Sequence, residues 1–331
     1  MCRNKCKIPK LLITTVFTSF VFLSSAWVNK PVSPLHEVSA QTQPMSACLK
    51  RINIPADDMH WVYVPKSAQE LHTEENYFWL AGELIKNKVV DASTCPTGGL
   101  ALNGYANACG MSLATPAVIY IQNMVNEPIM QAWDDVGVPP VLLKQLIRQE
   151  SQFWPAQANV IHYGFGHITD IGIRNALDWN SKLYTMFCES SAEGSCATDE
   201  GLSYQILSSL ISTCSTCEYG IDQNSANRSV EVLANVLLAY CYQTEQLIYN
   251  ATSWNPIQLV NYATIWKLTL MNYNAGPQCV FDVIVDSYKT TEGPVKWSDI
   301  VVHTEGAQCF RGLYYANSIT KKYFNFPPPT P

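Results

Sequence analysis

Residues 139–151 read PPVLLKQLIRQES. Paired prolines suit the first turn of a helix, where a missing N–H has no intrahelical bond to lose. Beyond them Leu143, Leu146 and Ile147 recur at helical spacing and mark one apolar face, while Lys144, Gln145 and Arg148 are expected to point elsewhere. Glu150 falls on the apolar face, four residues after Leu146 and seven after Leu143. A carboxyl so placed loses hydration when it ionises, and one that keeps its proton can hand it to a leaving oxygen. A buried glutamate paired with an arginine, or one capping a neighbouring helix, is the plainer reading of the same position.

Periodicity on either side extends the helical reading. Upstream, Val118, Ile119, Ile121, Met124, Val125, Ile129 and Met130 predict a helix over 117–133, interrupted at Pro128. Downstream, helices are expected over 171–187 and 202–212, with a Cys-, Ser- and Gly-rich loop between them. Val230, Leu233, Ala234, Leu237, Leu238 and Cys241 make the clearest series and predict an amphipathic helix to about residue 249. Residues 257–271 are apolar almost all round, with Leu259, Ala263, Trp266 and Leu270 on one side, as in a central buried helix. A shorter helix is expected after Gly276-Pro277, and another over 312–323. No internal repeat and no alternating pattern longer than a hairpin is visible, so the fold class is mainly α. Residues 41–112 hold three cysteines, with turn signals at Pro55, Pro65 and 96–99, and read as an irregular Cys-containing extension. The main domain is expected over 113–324, followed by a Pro-rich tail, 325–331.

Three short strings around these helices share a pattern. Gly137 opens GVPPVLLKQLIRQESQFWP, in which Glu150, Ser151, Phe153 and Pro155 stand at the helix end. Gly164-Phe165-Gly166-His167-Ile168-Thr169 follows, and Tyr273-Asn274-Ala275-Gly276 closes the apolar helix. In order and spacing they resemble the lytic transglycosylases of the goose-type lysozyme class, over about residues 136–288. The resemblance extends more loosely to RGLYYANSITKKY, where Tyr315 would match a tyrosine of the family's closing helix. It says nothing of the residues before about 113, and 188–217 looks like an insertion of this chain's own.

That resemblance implies a lysozyme-like helical domain with a disulfide-bearing N-terminal extension, acting on the glycan strands of peptidoglycan without a cofactor or metal. Glu150 would be the single acid and base. It would protonate the oxygen between N-acetylmuramic acid and N-acetylglucosamine, then accept the proton of the muramyl 6-hydroxyl as a 1,6-anhydro sugar closes. Ser151, Gly164, Phe165, Gly166, His167, Tyr273 and Asn274 would form the substrate site. Tyr273 is expected to bond Glu150 or substrate, Asn274 to contact an acetamido group or cap its helix, and Ser151 to steady the helix end or touch substrate. Gly164 and Gly166 allow close backbone approach or an ordinary turn alike. Asp170 is weighed as the N-cap of the next helix ahead of a second acid. His167 is the main departure, since the family usually has glutamine there; a neutral imidazole also donates and accepts, but a charged one would favour ionised Glu150. His162 and His167 lack a third ligand, so a metal is not expected. A hydrolase of the same fold and a catalytically silent wall-binding or scaffold protein stay as alternatives.

Composition narrows the setting. Only 15% of the 331 residues are charged, against about 25% on average, while 17 Tyr and 9 Trp supply flat rings that either stack on sugars or fill an aromatic core. A net charge of -6 gives no support to a nucleic-acid partner, which would call for a basic face. Four cations in MCRNKCKIPK precede the uncharged run 11–27, an export signal. Small residues at Ser24–Ala26 and Val38–Ala40 offer cleavage sites within 1–40; left uncut, the run is long enough for a membrane anchor. Beyond Cys2 and Cys6 lie ten cysteines, an even number in a chain directed to an oxidising space, and they are read as mostly disulfides. Cys214 and Cys217 form a CxxC with no second pair at zinc spacing.

Overall fold

A computed structural model describes residues 46–49, 59–156, 161–188 and 198–321. The signal run, its cleavage sites, Cys196 and the 325–331 tail lie outside the described residues. The fold is mainly helical, and no strand occurs among the described residues.

α1 (Phe78–Lys86) and α2 (Ala108–Met124) pack together, and α3 (Asn126–Val136) follows directly. The helix expected over 117–133 therefore starts earlier, because the Asn107 side chain caps it by accepting from Gly110 N at 2.9 Å, and α2 runs straight through residues 112 and 113. Its break falls at Val125 rather than Pro128, which sits in the first turn of α3 where proline removes no helical bond. α1 is too short for its buried Leu80, Ala81 and Leu84 to show as a stripe in the sequence.

α4 (Pro140–Ser151) starts at the paired prolines as expected. Its faces differ from the expectation: Lys144 and Gln145 are buried along with the leucines. Lys144 is held because its ammonium donates to Leu71 O, to Asn126 Oδ1 at 2.7 Å and to Asn123 Oδ1 at 3.3 Å. Those acceptors replace the lost water, and they lash the segment around Leu71 to the helix. Burial still pushes the amine down to about 7.

In place of one helix over 171–187 the chain makes α5 (Asp170–Trp179) and α6 (Ser181–Cys188). They part at Asn180, whose side-chain amide turns inward and donates to Asn235 O at 3.0 Å. α7 (Asp199–Ser209) then leads to α8 (Gln223–Thr252), the 30-residue axis of the fold. Asp222 caps α8 by accepting from Ser225 N at 2.8 Å. Helices α3 and α5 pack on α8, so its buried arc is wider than the six-residue stripe read from the sequence.

The helix expected over 257–271 is two: α9 (Pro256–Leu259) and α10 (Tyr262–Ala275), parted where Asn261 caps α10 through Thr264 N at 2.7 Å. α11 (Pro277–Thr291), α12 (Trp297–His303) and α13 (Ala307–Thr320) complete the described residues. α10 lies between α8 and α13, which explains why it is apolar all round. α13 also packs against α4, and that contact delivers Tyr315 to Glu150.

Disulfides join Cys48 to Cys241, Cys95 to Cys109, Cys214 to Cys217 and Cys279 to Cys309. Cys188 is disulfide-bonded as well. The Cys48–Cys241 bridge spans 193 residues and pins the chain's first described segment to α8, where Glu245 also accepts from Ser46 Oγ and Cys48 N. No helix among the described residues is long and apolar enough to cross a membrane.

Candidate active site

Glu150 ends α4 with its side chain 17% exposed, and a cleft of about 340 Å³ opens beside it. The remaining walls come from His162 and residues 166–169, from Gly172 of α5, from Val236 and Tyr240 of α8, and from Tyr273 and Asn274 of α10. Glu150 is the only carboxylate among these lining residues. A second pocket of about 350 Å³, between residues 257–262 and 294–296, has Lys296 as the one charged residue of its lining and no carboxylate among its lining residues.

The backbone around Glu150 is strained. Gln152 (φ 43°) and Phe153 (φ 65°) are consecutive side-chain-bearing residues in the left-handed region, and His167 (φ 50°) is a third across the cleft. Such conformations cost about 1–3 kcal/mol each and persist where packing over-determines them. Phe153 is fully buried, with its ring 5.4 Å from that of Tyr77 and 5.8 Å from the Lys144 ammonium. The helix is thus stopped abruptly, one turn past its last apolar contacts, with Glu150 at the rim.

The second wall is a tight loop closed by reciprocal bonds between Tyr163 and Ile168, both 3.0 Å. Gly164 has φ 65°, and a Cβ there would lie 2.8 Å from Leu210 Cβ, so the position demands glycine. At Gly166 a Cβ would come within 2.4 Å of Leu233 Cδ1 and 3.0 Å of the Tyr273 hydroxyl. That hydroxyl donates to Gly166 O at 2.6 Å and fixes the loop to α10.

Two groups touch the carboxyl. The Tyr315 hydroxyl donates to Oε1, and His167 Nδ1 lies 3.5 Å from Oε2. Burial first, and the Glu150 charge second, push the phenols of Tyr315 and Tyr273 well above their ordinary range, so Tyr315 keeps its proton and remains a donor. With Oε1 occupied, Oε2 is the oxygen left to exchange a proton with a guest. His167 Nε2 is buried without a hydrogen-bond partner, and the His162 ring stands 5.8 Å away, centroid to centroid.

The wall behind is a buried amide network. Asn272 donates to Gln243 Oε1 at 2.9 Å, and Gln243 donates to Asn175 Oδ1 at 2.7 Å, joining α10, α8 and α5 beneath the cleft. Tyr240 meets the Tyr273 ring edge-on at 5.3 Å, and burial raises its phenol too.

Of the residues expected to form the site, Glu150, Gly166, His167, Tyr273 and Asn274 come together. Asn274 is exposed on the cleft wall, and α10 ends one residue later with Gly276 as its C-cap. Ser151, Gly164 and Phe165 do not line the cleft: Ser151 and Phe165 are fully buried, and the Ser151 hydroxyl donates to Ile147 O at 3.1 Å. Tyr273, expected to bond Glu150 or substrate, lines the cleft and donates to Gly166 O, while the hydroxyl on the Glu150 carboxyl is that of Tyr315. Thr169, not Asp170, caps α5, accepting from Gly172 N at 3.1 Å. Asp170 is instead tied to Arg174 and, at 2.6 Å, to Ser203 of α7; these bonds hold its carboxyl below the ordinary range. His162, Tyr240 and Val236 were not singled out as site residues; Val236 lies just off the α8 stripe, Tyr240 in a helical pattern reads equally well as core, and His162 sits in the loop before α5.

No family model, no curated protein and no solved structure matches the chain.

Proposed function

We propose that the chain is a peptidoglycan lytic transglycosylase with Glu150 as its acid and base. The observation that carries this reading is the one carboxyl among the cleft's described lining residues, bonded through one oxygen to Tyr315 and with His167 Nδ1 3.5 Å from the other. Such a group suits a reaction in which one residue first gives and then takes a proton, and in which the substrate brings its own nucleophile.

In that reaction Glu150 gives its proton to the bridging oxygen between N-acetylmuramic acid and N-acetylglucosamine, and the glucosamine side leaves as an alcohol. Positive charge develops at the muramyl anomeric carbon. The muramyl 6-hydroxyl then bonds that carbon and returns its proton to Glu150, so the acid is regenerated and no water is consumed. Tyr315 holds the carboxyl in one rotation throughout, a positioning role that lowers the cost of reaching the reactive geometry. Asn274, exposed on the wall, is placed to bond an acetamido group, and Tyr240 and Tyr273 offer ring surface to a pyranose. Export to the compartment that holds the wall fits the disulfides, which persist in oxidising surroundings.

The test is solubilisation of purified wall by the full chain and by Glu150→Gln. Release by the wild type alone is expected. Release by neither, with both proteins pelleting with the wall, would favour the silent binding protein.

A further inference from the structure

Cys214-Ser215-Thr216-Cys217 closes a disulfide at the tip of a hairpin, residues 212–222, that the proposed reaction leaves unused. The hairpin is held by Cys214 N to Gly220 O at 2.8 Å and by the Thr213–Ile221 antiparallel bridge. At its base Ser212 N donates to Pro155 O at 2.9 Å, and Asp222 N donates to Ser212 O at 2.8 Å. Pro155 lies two residues beyond the strained Phe153, and Asp222 caps α8. One small loop therefore joins the segment that follows Glu150 to the helix that carries Tyr240.

Two observations set this bridge apart. A disulfide gains stability largely from the chain it closes off in the unfolded state, and the gain grows with loop length. Cys214–Cys217 spans 3 residues, against 14, 30 and 193 for the other described bridges. Each of those also has at least one buried cysteine, whereas Cys214 and Cys217 are both partly exposed and Ser215 and Thr216 between them are exposed. The Thr216 hydroxyl lies 3.5 Å from Cys214 Sγ, where it can donate to a thiolate leaving there.

We propose that Cys214–Cys217 is a thiol–disulfide exchange site, opened by a dithiol reductant, whose opening releases the hairpin from Pro155. A thiolate of the dithiol attacks Cys217 Sγ, the S–S bond breaks, and Cys214 leaves as thiolate. The second thiol of the reductant, as thiolate, attacks its own sulfur in the mixed disulfide and expels Cys217. The reductant departs as a disulfide, oxidised by two electrons, and the two protons it gave up end on Cys214 and Cys217. This holds whatever reaction the cleft performs.

The test is stepwise reduction of the oxidised full chain with dithiothreitol, with alkylation and peptide mass spectrometry to order the bridges, and amide hydrogen exchange across 212–222. Cys214 and Cys217 are expected to label first, with exchange at Ser212 and Asp222 at least tenfold faster while the other bridges stay closed. Labelling of Cys95 and Cys109 first, or all bridges opening together, would overturn the exchange site. Opening without faster exchange would overturn the release. The double variant Cys214→Ser, Cys217→Ser should show the fast exchange without reductant; slow exchange there would also overturn it.

Discussion

Lys144 and Glu150 stand six residues apart on α4, and the two ends of that helix treat an ionisable group in opposite ways. At the first end the Lys144 ammonium is sealed away, with oxygen acceptors from Leu71, Asn123 and Asn126 around it. At the other, Glu150 has a phenol on one oxygen, an imidazole 3.5 Å from the second, and open cleft beyond. Helical spacing puts Glu150 on the apolar face and turns Lys144 away from it, yet Lys144 is the more deeply buried of the two. What separates them is completion. A buried charge whose acceptors are all protein groups can only hold things together, while one with an unfilled oxygen facing a cavity can act on a guest.

The largest effect that would sharpen this contrast is loss of the cleft acid. Glu150→Gln should cut wall solubilisation by about 10²–10⁴-fold, the usual worth of a general acid and base, while circular dichroism and melting temperature stay near those of the parent. Equal rates would break the assignment. Next comes its positioning partner: Tyr315→Phe, which removes a hydrogen bond to a charged group, should lower turnover by about 10–100-fold with little change in KM. A rise in KM alone would make Tyr315 a binding residue instead.

At the opposite end of α4 the readout is stability. Lys144 titrates at about 7 in the fold and near its ordinary 10.5 when unfolded, so between those values the unfolded chain binds the extra proton. Stability from this group therefore rises as pH increases from 7 toward 10.5, by up to about 1.4 kcal/mol per pH unit. Urea unfolding of wild type and Lys144→Met at pH 7 and pH 10 should show that gain in the wild type alone; parallel curves would mean that the ammonium is not desolvated. The smallest effect concerns the imidazole. His167→Gln is expected to keep or raise activity, because an amide also donates and accepts at a position whose ring nitrogen lies 3.5 Å from Glu150 Oε2. A total loss of wall solubilisation would give the imidazole a role beyond the one assigned.

The helices were legible where one face repeats often enough, as in α4 and α8, and Glu150 stood out because a carboxylate breaks such a face. Breaks were less legible: Asn180 parts α5 from α6 through a bond to Asn235 that only the fold supplies, whereas Asn261 begins α10 through a local cap on Thr264 N within an unbroken apolar run. The same limit hid Lys144, whose acceptors come from residues 71, 123 and 126, and it hid the bond from Tyr315 to Glu150. Sequence spacing ranks tyrosines by neighbourhood along the chain; which hydroxyl meets a carboxyl depends on α13 crossing α4. Gly164 and Gly166 left a close approach or an ordinary turn equally open until their neighbours, Leu210, Leu233 and Tyr273, were in place.

The direct measurement is mass spectrometry of the soluble fragments released from purified peptidoglycan by the full chain. The account predicts muramyl ends in the 1,6-anhydro form, one water lighter than the hydrolysed sugar, and none above background with Glu150→Gln. Fragments with ordinary reducing ends, or anhydro ends produced at the parent's rate without the Glu150 carboxyl, would contradict it.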